Sequence, residues 1–260
     1  MTKSLYCESV FYAVMKYVLI GPILRLFFPT KISGTQYVPE SGGAILVSNH
    51  LAVADSFFLP LHIKRRVTFL AKSEYFTEKG VKGWIKRQFF LGMGQVPVDR
   101  TGANAAQDAL DTGIKLLKKG ALLGIYPEGT RSPDGRLYKG KTGVARMALE
   151  AGVVVVPVAM FNTQKINPIG SKMWRPSRVR IEIGRPLDFS RYEGMAGDRF
   201  VERSMTDEIM YRLMELSGQE YVDVYAAKVK SDLEAAAAAS RAAEGRGPGT
   251  VTRLPGKKAS

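Results

Sequence analysis

A histidine stands five positions before an aspartate in the segment from Ser48 to Asp55, directly after an apolar run. A neutral imidazole, with a reference pKa of about 6.5, can take a proton from a substrate hydroxyl. A carboxylate on its other ring nitrogen fixes the tautomer and stabilises the imidazolium. Neither Gly-x-Ser-x-Gly nor Cys-Gly-x-Cys occurs, so the predicted target of the base is an incoming alcohol. The alternative is that His50 is a buried structural histidine.

A second polar loop follows the apolar run of residues 121–125. Pro127 and Gly129 are turn-forming residues, so the loop lies at the carboxyl end of a strand, where open α/β sheets bind their ligands. The polar residues of this loop are Glu128, Thr130 and Arg131. The alternative is a surface turn with solvated charges.

A third segment, residues 94–100, alternates as a short strand does and ends on Arg100. The forked guanidinium of an arginine is suited to binding a phosphate group. Taken by itself, this arginine is interpreted as a plain surface charge.

Together the three segments resemble the glycerolipid acyltransferase family, which includes glycerol-3-phosphate and 1-acylglycerol-3-phosphate (lysophosphatidate) acyltransferases. His50 and Asp55 match the family's His-x-x-x-x-Asp motif, and residues 94–100 match its second block, with Pro97 where the family often has a larger apolar residue. Residues 128–131 and 153–158 match the third and fourth blocks. The resemblance covers residues 35–190.

The resemblance implies a reaction and a set of roles. His50 would deprotonate a glycerol hydroxyl that attacks an acyl thioester, carried by coenzyme A or acyl carrier protein, and neither a cofactor nor a metal is expected. Arg100 would bind the acceptor phosphate, and Glu128 would hydrogen-bond a glycerol hydroxyl. The resemblance also assigns Gly129, Thr130 and Arg131 to the acceptor site. Further candidates for binding the phosphate are Lys72, Lys139 and Lys141, and the alternative for each is a plain solvated lysine.

The favoured acceptor is 1-acylglycerol 3-phosphate, which would be converted to phosphatidate in phospholipid synthesis, because the chain is short and carries one compact domain. Glycerol 3-phosphate or another lysolipid is the alternative within the family. Two other classes stay open: a metal-dependent hydrolase that uses His50 and Asp55 as ligands, and a non-catalytic basic membrane-binding module.

Composition indicates one core and an anionic partner. A chain of 260 residues, 45% of them hydrophobic, can bury a single sizeable core. Its 38 Lys and Arg against 24 Asp and Glu give a formal charge of +14, which favours anionic lipid or phosphorylated substrates. Nucleic acid is disfavoured because no zinc-finger spacing or basic heptad occurs. The lone Cys7 excludes an internal disulfide and fits a reducing compartment.

The N-terminal segment, residues 5–28, is apolar but interrupted by Glu8, Lys16 and Arg25. No uncharged run reaches the ~18 residues of a spanning helix, so residues 1–30 are expected to lie in the interface as a helical anchor. Gly21-Pro22 is expected to break the helix, and Lys16 to lie on its polar side. The predicted location is the cytoplasmic face of the cell membrane, with peripheral or monotopic attachment. The alternative is a helix packed on the domain.

The rest of the chain alternates strand and helix patterns and predicts an α/β fold, with a largely parallel or mixed central sheet flanked by helices. An acyltransferase domain is assigned to residues 31–230, with helices after residue 191, and a flexible basic tail to 231–260. Predicted strands are residues 43–48, 67–71, 95–98, 121–125, 153–160 and 179–183, and predicted helices include 103–119 and 144–150.

Overall fold

A seven-stranded sheet forms the centre of the protein, in a computed structural model that describes residues 10–99, 104–171 and 173–244. The strand order is β1-β8-β7-β2-β5-β3-β4, and only the β7–β8 pair is antiparallel. The predicted largely parallel sheet is therefore confirmed. The strands of this sheet are β1 (Thr30–Ser33), β2 (Ala44–Ser48), β3 (Val67–Lys72), β4 (Gln95–Val98), β5 (Leu122–Ile125), β7 (Val154–Phe161) and β8 (Val179–Ile183). A separate pair comprises β6 (Leu137–Tyr138) and β9 (Tyr221–Val222).

Helices cover the sheet on its two faces. In chain order they are α1 (Val10–Phe27), α2 (Asp55–His62), α3 (Glu74–Thr77), α4 (Gly80–Gly92), α5 (Ala105–Lys118), α6 (Gly143–Ala151), α7 (Thr163–Ile166), α8 (Arg199–Ser217) and α9 (Ala226–Glu244). Short 3-10 turns occur at Thr35–Tyr37 and Ser190–Tyr192.

Strand β2 shows why the central strands are apolar without alternation. All five of its residues are buried, because Leu46 packs into a core on one face and Ile45 and Val47 into a core on the other. Its parallel neighbour β5 pairs in the register Ala44↔Leu122. The loops after both strands therefore emerge at the same edge of the sheet, which brings His50 and Glu128 together.

The expected break at Gly21-Pro22 is wrong, because α1 is continuous. A π-helical turn at Met15–Leu19 precedes the proline, and the Ile20 N–H donates to the Met15 carbonyl. Such a turn accommodates a residue that lacks an N–H donor, and glycine at position 21 leaves room for the Lys16 carbonyl. By length and composition alone, α1 is apolar enough to cross a membrane.

Lys16 is buried rather than on a solvated polar side, which corrects the second expectation for α1. Its ammonium donates to the Ile63 carbonyl, and Arg25 Nη2 donates to the Leu61 carbonyl at 3.2 Å. Both acceptors lie at the carboxyl end of α2, where helix carbonyls lack internal partners and cations are favoured. The outward side chains of α1 are Val10, Val14, Tyr17, Val18, Leu19, Ile23, Leu26 and Phe27.

The C-terminal helices differ from the prediction at both ends. Residues 191–198 are mostly non-helical, and α8 begins after Asp198, whose Oδ1 accepts the Phe200 N–H at 2.8 Å and the Val201 N–H at 3.1 Å. The chain was expected to leave the helix after residue 230, whereas α9 continues to Glu244. Alanine has the highest helix propensity, and residues 235–239 are all alanine. The remainder of the predicted tail lies outside the described residues.

Candidate active site

His50 and Asp55 form a hydrogen-bonded pair at the carboxyl edge of the sheet. Asp55 is the first residue of α2, and its Oδ2 lies 2.9 Å from His50 Nδ1. The same oxygen accepts the backbone N–H groups of Leu51 at 2.8 Å and Ala52 at 2.9 Å. Asp55 is 1% exposed and His50 is 17% exposed. With Nδ1 bound to the carboxylate, Nε2 is the nitrogen that can accept a proton.

An aromatic column supports the imidazole from behind. The Tyr126 ring stacks on His50 with centroids 3.8 Å apart and planes 10° apart, and Phe69 stacks on Tyr126 at 5.6 Å. The Tyr126 hydroxyl lies 2.9 Å from Ser56 Oγ, and burial raises the pKa of Tyr126 well above its usual value. Sequence analysis missed this column. The signal was an aromatic residue directly before the Pro127 loop.

The Glu128 side chain links its own loop to the His50 loop through a hydrogen bond with the backbone. Its Oε1 accepts the His50 N–H at 3.2 Å, and its Oε2 accepts the Tyr138 N–H at 3.0 Å. The Ser132 N–H donates to the His50 carbonyl at 2.8 Å, which adds a second link. Glu128 is 1% exposed, and this burial raises its pKa from 4.5 to about 7. Both carboxylate oxygens thus accept a backbone N–H inside the protein, and the hydrogen bond from a glycerol hydroxyl to Glu128 stays a prediction.

Two of the predicted acceptor-binding residues meet at the Glu128 loop. Gly129, at φ +73°, is exposed, and a β-carbon there would lie 3.2 Å from Lys141 Nζ. The Lys141 N–H also donates to the Pro127 carbonyl at 2.8 Å, which keeps the two segments together. Thr130 and Arg131 are half-buried on the same loop.

The other basic candidates differ in their surroundings. Lys72 is exposed at the end of β3, on the same edge of the sheet as the His50 loop. Lys139 instead forms an ion pair with Asp223 at 2.9 Å. Arg100 lies outside the described residues.

Comparison with known proteins places these residues in a family. The family model described as Acyltransferase matches residues 29–161, more than half of the chain, and this region contains His50, Asp55 and Glu128. The chain belongs to the acyltransferase family.

Relatives in plants and bacteria carry one name, 1-acyl-sn-glycerol-3-phosphate acyltransferase. The chloroplastic proteins of Arabidopsis thaliana and Brassica napus are 34% and 36% identical over 66% and 62% of this chain. The chain spans 47% and 46% of their lengths, about half of each. The Bacillus subtilis protein is 27% identical over 76% of this chain and 92% of its own.

The fold also resembles that of a solved structure. The 1-acyl-sn-glycerophosphate acyltransferase PlsC from Thermotoga maritima superposes with a TM-score of 0.61 over 83% of each chain, at 24% sequence identity.

One further residue holds the backbone beside the histidine in this member of the acyltransferase family. Asn49 is buried, and its side-chain amide spans the end of β7: Nδ2 donates to the Met160 carbonyl at 3.0 Å, and Oδ1 accepts the Met160 N–H at 2.8 Å. Nδ2 also donates to Gln219 Oε1 at 2.7 Å, and Gln219 Nε2 donates to the Gly135 carbonyl. Sequence analysis identified neither amide. Asn49 adjoins the histidine, but nothing in the sequence connects Gln219 to it.

Proposed function

We propose that the protein transfers a fatty acyl group from an acyl thioester to the free hydroxyl of 1-acylglycerol 3-phosphate, which yields phosphatidate. The observation that carries the proposal is the His50–Asp55 pair, with its 2.9 Å hydrogen bond and a partly exposed imidazole at the carboxyl edge of the sheet. Relatives that carry the name of this activity support the choice of acceptor.

The geometry suits a direct transfer without an acyl-enzyme. His50 Nε2 takes the proton of the acceptor hydroxyl as its oxygen attacks the thioester carbonyl, and Asp55 stabilises the imidazolium that results. When the tetrahedral intermediate collapses, the C–S bond breaks and the imidazolium returns the proton to the departing thiolate. Tyr126 and Asp55 hold the ring in one orientation throughout, so that little reorganisation is required.

The acceptor phosphate is assigned to the basic groups around the Glu128 loop. Arg131 and Lys141 border Gly129, Lys72 lies along the same edge, and Arg100 follows β4, the neighbour of β3. Glu128 is proposed to position the His50 backbone rather than to bind the acceptor. Arg100→Ala and Arg131→Ala should raise the KM for the phosphorylated acceptor much more than the KM for the thioester. Equal effects on the two KM values would contradict this assignment.

We also propose a monotopic location on the cytoplasmic face of the membrane. Helix α1 presents an apolar outer face while its inner side packs on α2, which suits a helix lying in the interface. The lipid acceptor and an anionic surface would then be the partners, and a net charge of +14 agrees with both.

An assay of the purified protein against a panel of acceptors tests the proposed reaction. We expect transfer of a radiolabelled acyl group to 1-acylglycerol 3-phosphate in preference to glycerol 3-phosphate or other lysolipids, with undiminished rate in the presence of a chelator. A stronger preference for another acceptor would show that the proposed acceptor is wrong. A loss of activity with chelator would favour a metal-dependent hydrolase. Absence of thioester cleavage would leave only the non-catalytic binding module.

Two substitutions test the base. His50→Ala should abolish transfer and leave the fold, because it removes the proton acceptor and little buried apolar area. Asp55→Asn should lower kcat by far more than about tenfold, since an amide neither holds the Nδ1 proton in the same way nor stabilises the imidazolium. Near-normal turnover in either variant would refute the assignment.

A further inference from the structure

The α3–α4 hairpin carries a second exposed apolar surface, distant in sequence from α1. Val81, Trp84 and Ile85 are 75%, 61% and 57% exposed. Their spacing places them on one face of α4. Isolated exposed apolar residues are normal on soluble proteins, but three bulky ones on one face, with an indole among them, mark an interaction surface.

Basic residues flank this apolar face. At about 100° per residue, Lys82 lies on one side of the Val81–Ile85 face and Arg87 on the other, and both side chains are exposed. Helix α4 contains no acidic residue. Glu78, just before it, is bound to Lys86 at 2.8 Å. An apolar strip between basic side chains is the arrangement that fits an anionic bilayer surface.

The hairpin is held firmly against the body of the protein. Phe90 stacks on Tyr75 of α3 with centroids 4.9 Å apart, and Phe89 contacts Phe57 of α2 at 5.7 Å. The exposed face is therefore presented by a packed helix rather than by a loose loop.

Helix α4 packs against α1 at its C-terminal end. Val81, Ile85, the half-buried Gln88 and the buried Gly92 share one side of the helix, and Gly92 contacts α1. A β-carbon at Gly92 would lie 2.5 Å from the Phe11 ring and 2.9 Å from Met15 Cγ. The exposed apolar residues of α4 and the outward side chains of α1 therefore belong to two helices in direct contact.

We propose that the α3–α4 hairpin is a second membrane contact, in which Val81, Trp84 and Ile85 enter the boundary between headgroups and acyl chains of an anionic bilayer. The inference rests on the proposed membrane association, to which α1 contributes the first contact. Because the hairpin starts where β3 ends, this second contact holds the edge of the sheet that carries His50 at the lipid surface. A protein partner or a second copy of the chain are the other occupants that the apolar face could take.

Vesicle binding tests the proposal on the full chain. The variant is Trp84→Ser with Ile85→Ser, and the matched control is Phe200→Ser, an 88% exposed aromatic at the start of α8. With vesicles of phosphatidylglycerol and phosphatidylcholine, the double variant should lose at least about tenfold in partition coefficient, while the control binds as the unmodified protein does. Acyl transfer to a short-chain, water-soluble acceptor should stay unchanged in both.

Lys82→Gln with Arg87→Gln tests the charge contribution separately. This variant should weaken binding to anionic vesicles and leave binding to purely phosphatidylcholine vesicles unchanged.

The outcomes separate the hairpin from the proposed function. If the unmodified protein binds vesicles and the Trp84/Ile85 variant binds equally well, the hairpin inference is overturned while membrane association by α1 stands. If the unmodified protein does not bind, membrane association itself fails, and the hairpin inference fails with it. A change from oligomer to monomer in the variant, measured by light scattering, would instead make the apolar face an interface between copies and also overturn the inference.

Discussion

Glu128 is buried and accepts one backbone N–H with each oxygen, so the role that we propose for it is to hold His50 in position. Glutamine at this position can accept one of the two N–H groups, but its amide would point its own hydrogens at the other. Glu128→Gln should therefore lower kcat by at least about tenfold and leave the KM for the acceptor nearly unchanged. A normal kcat with a raised KM for the acceptor would contradict this role and indicate that Glu128 binds the acceptor.

The raised pKa of Glu128 also makes a prediction for stability against pH. Since burial raises the pKa from 4.5 to about 7, the folded protein binds more protons than the unfolded chain between these values. The contribution of Glu128 to the free energy of unfolding is thus fully present below about pH 4.5 and is lost as pH rises through about 7. Between about pH 4.5 and 7, the free energy of unfolding measured with denaturant should fall more steeply with rising pH for the unmodified protein than for Glu128→Gln. Parallel curves would contradict the shift.

At the scale of strands and helices, the apolar runs of β2, β5 and β7 were sufficient to predict a parallel sheet, because strands covered on both faces need continuous apolar sequence. Strand β1 was missed since its four residues alternate between half-buried and exposed, and its pairing with β8 is a long-range contact that local sequence does not encode. The predicted break at Pro22 was wrong for a related reason. A π-helical turn, stabilised by packing on α2, accommodates the proline within a continuous helix.

The residues of the candidate site also divide into those that local sequence predicts and those that depend on long-range contacts. The histidine and aspartate were predicted from a local sequence motif. The roles of Glu128 and Asn49 depend on backbone groups of distant strands, which become neighbours only in the folded sheet.

Gly124 of β5 offers a test of the aromatic column. It pairs with Phe69 across the strands, and a β-carbon there would collide with the Phe69 ring. Gly124→Ala should displace Phe69 toward Tyr126 and destabilise the fold by about 1–3 kcal/mol, as overpacking of a core does. Because Tyr126 stacks on His50, kcat should fall as well. Restoring turnover with a second change, Phe69→Leu, would confirm that the ring transmits the effect; unchanged stability and kcat in the single variant would exclude it.

Lys16 tests how α1 is attached to α2. Its ammonium is buried against the Ile63 carbonyl and lies 5.2 Å from the centre of the Tyr17 ring. Lys16→Met should leave that carbonyl without its donor and lower the free energy of unfolding by about 1–3 kcal/mol. The salt dependence of vesicle binding should stay as it was, since a buried cation is screened little and meets no lipid. A weaker salt dependence would place Lys16 at the membrane surface instead.

At the scale of the whole molecule, α2 connects the side that we propose meets the membrane with the candidate active site. The first residue of α2 orients His50, and the carbonyls at its other end are bound by Lys16 and Arg25 of α1. Removing residues 1–28 would therefore expose apolar core and leave the carbonyls at the end of α2 without donors, besides removing the proposed anchor. Substitution of outward side chains separates anchoring from folding.

Ile23, Leu26 and Phe27 provide that separation, because they are 58%, 76% and 54% exposed on the outer face of α1. Changing all three to serine should leave the unfolding transition nearly unchanged and reduce sedimentation with anionic vesicles at every salt concentration. Added salt should weaken vesicle binding of the unmodified protein only in part, because screening acts on exposed charges while apolar burial persists. A triple variant that sediments as the unmodified protein does, at low and high salt alike, would show that the outer face of α1 does not meet the bilayer.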